Sequence, residues 1–144
     1  MSTSDDSSAP TSGADFIRQF LPRSPYVGHL GMRLTDLQPD LATLTLPFAE
    51  SVVTIGSIVH GGAIASLIDT TAMVAAWSGA ALPENARGTT VGLTVNYLSA
   101  ASSEDLQATA RVLRRGKNLV YLDVEVSGAS GTLVAKGLVT YKLG

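Results

Sequence analysis

His60, Gly61 and Gly62 follow one another where a loop is expected to become a helix. The first residues of a helix have backbone N–H groups without partners inside it, and they carry a partial positive charge. Glycine has no side chain that would keep a ligand away from those groups. The motif could therefore stabilise an oxyanion, although the two glycines could equally serve only to permit a tight turn. His60 would either cap the helix or shape the site.

A single carboxylate, Asp69, interrupts the longest apolar region of the chain, residues 63 to 82. A charge in such a region is costly unless it is paired or lies in a solvated cleft. Asp69 could act as a general base on water or as a nucleophile, or it could lie on a narrow wet face with Ser66 and Thr70. A membrane span would rarely tolerate the carboxylate, so we expect a buried helix and no membrane association.

Gly61 and Asp69 are too far apart to act on one atom from the same chain. Their spacing of eight positions corresponds to roughly 12 Å along a helix axis. Catalytic groups must lie within about 3 Å of their targets. If both residues are catalytic, we therefore expect a site shared between two chains of an oligomer.

Composition limits the other functions that the chain could have. Its 144 residues suit one domain, its formal net charge is -2, and it has no cysteine. These values disfavour nucleic acid as a partner and exclude disulfides, thiolate metal sites and a cysteine nucleophile. His29 and His60 have no cluster of carboxylates beside them, so we predict no metal site. The lack of cysteine suits a reducing environment, which favours a cytoplasmic location.

The polar start of the chain, residues 1 to 14, is predicted as a disordered tail without the apolar run of a secretory signal. Residues 15 to 144 then form one domain, which begins with a short amphipathic helix that ends near Pro22. Residues 25 to 31 are predicted as a loop, and residues 50 to 59 as a loop or irregular stretch.

Periodicity predicts the remaining elements as β-β-α-β-β-β-β. The only long helical pattern runs from residue 61 to about residue 79, and it is rich in alanine. Strands that follow one another without intervening helices should pair mainly antiparallel. We therefore predict an α+β domain in which one strongly curved sheet covers one long helix. The predicted strands are residues 32 to 37, 41 to 48, 90 to 97, 106 to 113, 119 to 126 and 133 to 141.

The two chemical motifs together resemble the hot-dog thioesterase superfamily, and most of all its phenylacetate-pathway, or PaaI-like, branch. The resemblance is carried by Val59-His60-Gly61-Gly62-Ala63 and by Leu67-Ile68-Asp69-Thr70. Weaker similarity in residues 91 to 98 and 131 to 137 extends it over roughly residues 27 to 143. The spacing from the first glycine to the aspartate is the most specific part of the likeness.

The resemblance implies a hot-dog fold, in which a curved antiparallel sheet wraps a long helix and two chains pair into one continuous sheet. Such dimers often pair again into tetramers. The Gly61 N–H would polarise a thioester carbonyl, and Asp69 of the partner subunit would be the base or nucleophile. Thr90 matches the family's Ser or Thr that positions water or the aspartate.

Coenzyme A would enter as part of the substrate, so no separate cofactor is implied. The basic residues Arg114, Arg115 and Lys117 are candidates for its phosphates, or else they form a solvated turn. Gly62 would contribute to substrate binding beside Gly61. An apolar pocket of Met73, Trp77 and Tyr97 would suit a medium-chain or aromatic acyl group.

Thr54 departs from the family pattern, which has Asn at that place and Gly where this chain has Ser57. Threonine can donate one hydrogen bond but reaches less far than a carboxamide. The alternatives to an acyl-CoA thioesterase are a non-catalytic acyl-CoA-binding protein and an acyl-thioester hydratase or dehydratase. The second would need His and Asp as paired acid and base, and only His29 remains for that role.

Overall fold

Helix α3 (Gly61–Ser78) is the centre of the computed structural model, which describes residues 8–82, 84–85 and 87–144. Most of its side chains are buried, and Leu67, Ile68 and Ala72 have no exposed surface. A helix that is apolar all round has to be covered on most sides, which the sequence pattern predicted. Alanines at several of its positions allow the strands to approach closely.

One antiparallel sheet supplies most of that cover. Its strand order is β1-β2-β6-β7-β8-β5, and α3 contacts all six strands. The prediction of an α+β fold with one long helix against an antiparallel sheet is therefore confirmed. The strands are β1 (Arg33–Gln38), β2 (Leu41–Leu46), β5 (Gly88–Tyr97), β6 (Leu106–Arg115), β7 (Leu119–Gly128) and β8 (Leu133–Leu143).

Alternation along the strands decides which face of the sheet lies on the helix. In β7, Val120, Leu122, Val124 and Val126 are buried, whereas the residues between them are half-buried or exposed. Successive side chains of a strand point to opposite faces, so this register places every second residue of β7 against the core. The other face of β7 is mixed, with Leu119 and Tyr121 followed by Asp123, Glu125 and Ser127.

Two segments that were predicted as irregular are ordered. Residues 25 to 30 form helix α2 (Pro25–Leu30), which begins with a proline and ends at Gly31. Proline suits the first helical position, and Gly31 has φ 71°, the left-handed conformation that commonly ends a helix. Residues 50 to 59 contain a short 3-10 turn followed by the hairpin of β3 (Val53–Ile55) and β4 (Ile58–Val59).

The N-terminal helix α1 (Gly13–Phe20) begins two residues earlier than predicted. The Ser12 hydroxyl accepts a hydrogen bond from the Asp15 N–H at 3.1 Å and so caps the helix. Gly13 is buried, and its N–H donates to the Ala80 carbonyl at 3.1 Å. The predicted boundary of the disordered tail at residue 14 is therefore too late, and residues 1 to 7 of that tail lie outside the described residues.

Strand β5 lies at one edge of the sheet and leaves one side of its backbone ladder unpaired. Several of its apolar side chains are exposed, among them Val91 at 55%, Leu93 at 40% and Tyr97 at 53%. A long apolar edge strand is a ready template for pairing with another chain. Within the described ranges, no helix is long and apolar enough to cross a membrane.

Candidate active site

The start of α3 is fixed by His60, whose imidazole caps the helix. His60 Nδ1 accepts a hydrogen bond from the Gly62 N–H at 2.7 Å, which requires that nitrogen to be unprotonated. Of the two roles that the sequence left open for His60, the structure thus gives it the cap. A side chain at position 62 would contact the imidazole, since a Cβ there would lie 2.9 Å from Nδ1.

The two glycines are not equivalent as hydrogen-bond donors. The Gly62 N–H donates to His60 and is therefore engaged in the helix cap. The Gly61 N–H has no acceptor among the described residues. A free N–H at a helix start is the group that an oxyanion site needs, and Gly61 is therefore the remaining candidate.

Tyr97 holds the first turn of α3 from the edge strand β5. Its hydroxyl donates to the Gly61 carbonyl at 2.7 Å, and a Cβ on Gly61 would lie 3.3 Å from its ring. The sequence predicted Tyr97 as a wall of an apolar pocket together with Met73. In the structure its hydroxyl holds the peptide between Gly61 and Gly62, next to the peptide that carries the Gly61 N–H.

Asp69 is half-buried on α3, and Thr90 binds it from β5. The Thr90 hydroxyl donates to Asp69 Oδ1 at 2.6 Å. The register of β5 against β8 shifts between Thr90 and Gly92, and such a bulge redirects side chains. Asp69 Oδ2 accepts no hydrogen bond from any residue that the structure describes, so one carboxylate oxygen is held while the other is free for a proton or a carbonyl carbon.

An apolar cavity of about 120 Å³ follows Asp69 along the same side of α3. Met73 and Trp77 line it, and they stand four and eight residues after Asp69. Phe16 and Phe20 of α1 and Tyr141 of β8 complete most of the wall. Sequence reasoning missed these last three residues, although the helical spacing of Phe16 and Phe20 was visible.

Tyr141 couples this cavity to the carboxylate. Burial raises the pKa of the Tyr141 hydroxyl above its ordinary value of 10.0, and the negative charge of Asp69 raises it further, while the hydrogen bond from Trp77 opposes both. The Trp77 Nε1–H donates to that hydroxyl at 2.9 Å. The negative charge of Asp69 thus acts on a hydroxyl that lines the cavity.

Gly61 and Asp69 do not meet within one chain. A second cavity, of about 280 Å³, borders the helix start and is lined by His60 and Gly62 with Tyr26, Ser51 and the apolar residues near them. It shares no lining residue with the cavity beyond Asp69. That the two cavities are separate agrees with the distance of roughly 12 Å expected between Gly61 and Asp69 along the helix axis.

The remaining predicted residues lie away from both cavities. Thr54 is exposed on β3 and lines neither of them. Arg115 binds Asp40 Oδ1 at 2.7 Å and the Ala76 carbonyl at 2.9 Å, which satisfies the C-terminal end of α3. We therefore assign Arg115 to the structure and not to phosphate binding. Arg114 and Lys117 are exposed near the turn between β6 and β7.

A different basic pair lies next to the start of β5, the strand that carries Thr90. Arg87 and Lys142 border a surface groove of about 460 Å³ together with Gly88 and Thr89, the residues just before Thr90. The two cations are distant in sequence and meet only through the pairing of β5 with β8. Local charge patterning could not have revealed them.

Comparison with known proteins identifies the family. The model of the Thioesterase superfamily matches residues 56–135, which contain the helix-start motif, Asp69 and Thr90. Acyl-coenzyme A thioesterase 13 of Homo sapiens is 35% identical over 97 residues, which are 66% of this chain and 66% of that protein. The family model thus matches the part of the chain in which the two sequence motifs lie.

Solved structures agree with the fold. A thioesterase family protein from Silicibacter pomeroyi has a TM-score of 0.83 at 25% identity, covering 90% of this chain and 96% of that one. The PaaI protein of E. coli, from the phenylacetic acid degradation operon, has a TM-score of 0.73 at 22% identity, covering 90% and 92%. The fold and the family match show that the chain belongs to the thioesterase superfamily and has its hot-dog fold.

Proposed function

We propose that the protein is an acyl-CoA thioesterase, which hydrolyses the thioester to a free acid and coenzyme A. The observation that carries this proposal is the Asp69 carboxylate, held by Thr90 at 2.6 Å on an otherwise apolar helix with its second oxygen free. Burying a charge in that position costs free energy, and a catalytic role, either activation of water or attack on a carbonyl, would explain why the carboxylate is there. The name of the human relative supports coenzyme A as the carrier.

The carbonyl oxygen would lie on the free N–H of Gly61. In the step with water, Asp69 removes a proton as the water oxygen attacks the carbonyl carbon, and the developing oxyanion is stabilised by that N–H and the helix start. The C–S bond then breaks, and the thiolate of coenzyme A takes up the proton that Asp69 removed from the water, which restores the carboxylate. If Asp69 is instead the nucleophile, an acyl-carboxylate anhydride forms first and water cleaves it. The two routes differ in the covalent intermediate: only the second forms an anhydride on Asp69, which hydroxylamine would trap as an Asp69 or acyl hydroxamate during turnover.

The site would be shared between two chains. Gly61 and Asp69 lie by different cavities of one chain, and β5 offers an unpaired apolar edge next to both Thr90 and Tyr97. Pairing of two β5 edges would continue the sheet and bring the helix start of one chain towards Asp69 of the partner subunit. We propose a homodimer, or a dimer of dimers, as the active form.

Release of free thiol from a panel of acyl-CoA substrates tests the function. We expect hydrolysis of medium-chain or aromatic acyl-CoA by the wild-type protein and a loss of roughly 100-fold or more in Asp69→Asn, the scale of general base catalysis. The variant keeps the size of the side chain, so its thermal unfolding should change little. Binding of acyl-CoA without thiol release would identify a non-catalytic binding protein instead.

Two observations bear on the alternatives. The hydrogen bond from Thr90 and the free oxygen of Asp69 favour hydrolysis over mere binding, since a binding module needs no poised carboxylate. A hydratase would need a histidine as partner of Asp69, but His60 Nδ1 is engaged at the helix start and His29 is an exposed residue of α2. We therefore do not favour a hydratase.

A further inference from the structure

The cavity beyond Asp69 has the size and the chemistry of a binding site for a single ring. Its volume of about 120 Å³ is close to that of an engineered apolar cavity of about 150 Å³ that takes up benzene. Its wall is mainly apolar, and its one side-chain hydroxyl, that of Tyr141, accepts a hydrogen bond from the indole of Trp77. A largely apolar ligand therefore suits it.

The wall is held in place before any ligand binds. The ring of Phe16 stacks on Trp77 with centroids 4.5 Å apart, and it stacks on Phe20 at 5.6 Å. Helix α1 is fixed by the Ser12 cap and by the hydrogen bond of Gly13 to Ala80. A preformed pocket loses little conformational freedom on binding, which favours selectivity for one shape.

Two of the residues that line the cavity are close to Asp69 or to its partner Thr90 in sequence. Gly88 lines the cavity two residues before Thr90, the residue that binds Asp69. On α3, Met73 stands one turn beyond Asp69 and lines the cavity as well. An acyl group whose carbonyl carbon lies next to Asp69 would therefore extend towards Gly88 and Met73, which line the cavity.

On the basis of the proposed thioesterase function, we propose that this cavity receives the acyl group and that α1 sets its size. Phe16 and Phe20 would close the far end, so that a phenyl ring or an alkyl chain of similar volume fits and a long chain does not. The cavity belongs to the chain that supplies Asp69, while the Gly61 N–H comes from the partner. Tyr97, predicted from the sequence as part of the acyl pocket, has no place in this wall.

Trp77 provides a readout that does not depend on catalysis. It is the single tryptophan of the chain, and it is 2% exposed. A non-hydrolysable ketone analogue of phenylacetyl-CoA, with a methylene group in place of the sulfur, should shift or quench its fluorescence. Coenzyme A alone should leave the emission unchanged, because it has no acyl group to enter the cavity.

Two variants change the volume of the cavity in opposite directions. Phe20→Ala should open the cavity and raise kcat/KM for decanoyl-CoA relative to phenylacetyl-CoA by roughly tenfold. Met73→Phe should partly fill the cavity and lower kcat/KM for phenylacetyl-CoA relative to acetyl-CoA by a similar factor. Phe20 is 42% exposed, so its truncation should be tolerated. Leu34→Phe adds similar bulk beside a separate cavity and is the matched control.

The outcomes separate this proposal from the proposed function. If the wild-type protein hydrolyses acyl-CoA but the emission of Trp77 does not respond and both variants keep the wild-type order of substrates, the acyl group lies elsewhere. If the analogue shifts the emission while no acyl-CoA is hydrolysed, the cavity is a binding site and the thioesterase function fails. A changed order in Leu34→Phe equal to that in Met73→Phe would also contradict the proposal.

Discussion

The Thr90 hydroxyl on edge strand β5 donates a 2.6 Å hydrogen bond to Asp69 Oδ1 on the central helix. This bond joins the one carboxylate of α3 to the strand that carries the unpaired edge of the sheet. A hydrogen bond to a charged group is stronger than one between neutral groups, and it fixes which oxygen of Asp69 remains free. The orientation of Asp69, the proposed base, therefore depends on Thr90, which itself takes no part in breaking the thioester bond.

Thr90→Val should lower hydrolysis without unfolding the protein. Valine has nearly the same shape but no donor, and a hydrogen bond to a charged group contributes about 1.5 to 3 kcal/mol, so we expect kcat to fall roughly tenfold or more. KM should change little, because Thr90 acts through Asp69. Steady-state kinetics with thermal unfolding measures both, and Thr90→Ser, which keeps the hydroxyl, should retain most of the activity. An unchanged kcat in Thr90→Val would remove Thr90 from the site.

Tyr97→Phe tests whether the first turn of α3 is positioned from β5. The substitution removes only the hydroxyl that donates to the Gly61 carbonyl at 2.7 Å. That carbonyl belongs to the Gly61–Gly62 peptide, so loss of the bond should loosen the helix start next to the Gly61 N–H, and we expect kcat to fall several-fold, below the 10²- to 10³-fold cost of removing an oxyanion donor. Tyr121→Phe, an exposed tyrosine of β7, is the control. Equal kinetics in both variants would show that the Tyr97 hydroxyl has no such role.

Tyr141 should make the protein less stable in alkali. Its pKa is raised in the folded state by burial and by Asp69, so the stability it gives is fully present below the unfolded value near 10. As the pH rises through the folded pKa, the unfolded chain releases this proton more readily, and that stability is lost. The free energy of unfolding should thus fall more steeply above pH 10 in the wild type than in Tyr141→Phe.

Tyr141→Phe also deprives the Trp77 N–H of its acceptor, which should cost about 1 to 3 kcal/mol at neutral pH. The comparison therefore rests on the slope against pH and not on the absolute stability. Urea unfolding across that pH range provides the slope. Parallel curves for the two proteins would mean that the Tyr141 ionisation is not linked to folding.

Much of the fold could be predicted because its signals are local. The 18-residue helix α3 and the alternation in β7 follow directly from the spacing of apolar residues. Helix α2 was missed because it has only six residues, and its proline and terminal glycine are also typical of loops. The start of α1 was misplaced because the contact of Gly13 with Ala80 is a tertiary one.

The candidate site was less accessible to sequence reasoning than the fold. Asp69 stood out as a charge in an apolar helix, but its neighbour Thr90 came from the family resemblance and not from a physical pattern. The ion pair of Arg115 could not be predicted because its partner Asp40 lies far away in sequence. A positive charge in the sequence does not distinguish a side chain that caps a helix from one that binds a phosphate.

Leu93→Lys should break the dimer if β5 is its interface. Leu93 is 40% exposed on the edge strand, and lysine on an edge opposes pairing with another chain. We expect light scattering to show a shift towards monomer, and hydrolysis should fall in parallel because the shared site is lost. Leu113→Lys, at a position of β6 that is 63% exposed, should remain a dimer. A fully active Leu93→Lys monomer would overturn the shared site.

Complementation between two inactive variants tests the shared site directly. Asp69→Ala removes the carboxylate, and Gly61→Pro removes the N–H proposed to bind the oxyanion. Each homodimer should be nearly inactive. A mixed dimer would have one site that combines an intact Gly61 with an intact Asp69, and one site that lacks both. We therefore expect about half of the wild-type activity per mixed dimer, because one of its two sites is whole.

Gly61→Ala is the control that makes this test specific. Alanine introduces the same Cβ, 3.3 Å from the Tyr97 ring, but keeps the N–H. Proline is well tolerated at the first position of a helix, so both variants should fold, and circular dichroism with thermal unfolding checks this. The alanine variant should therefore retain more activity than the proline variant. If the mixed dimers form, as native mass spectrometry would show, and yet no activity returns, Gly61 and Asp69 do not act on one thioester from two chains. The proposed geometry then fails even if the protein is a thioesterase.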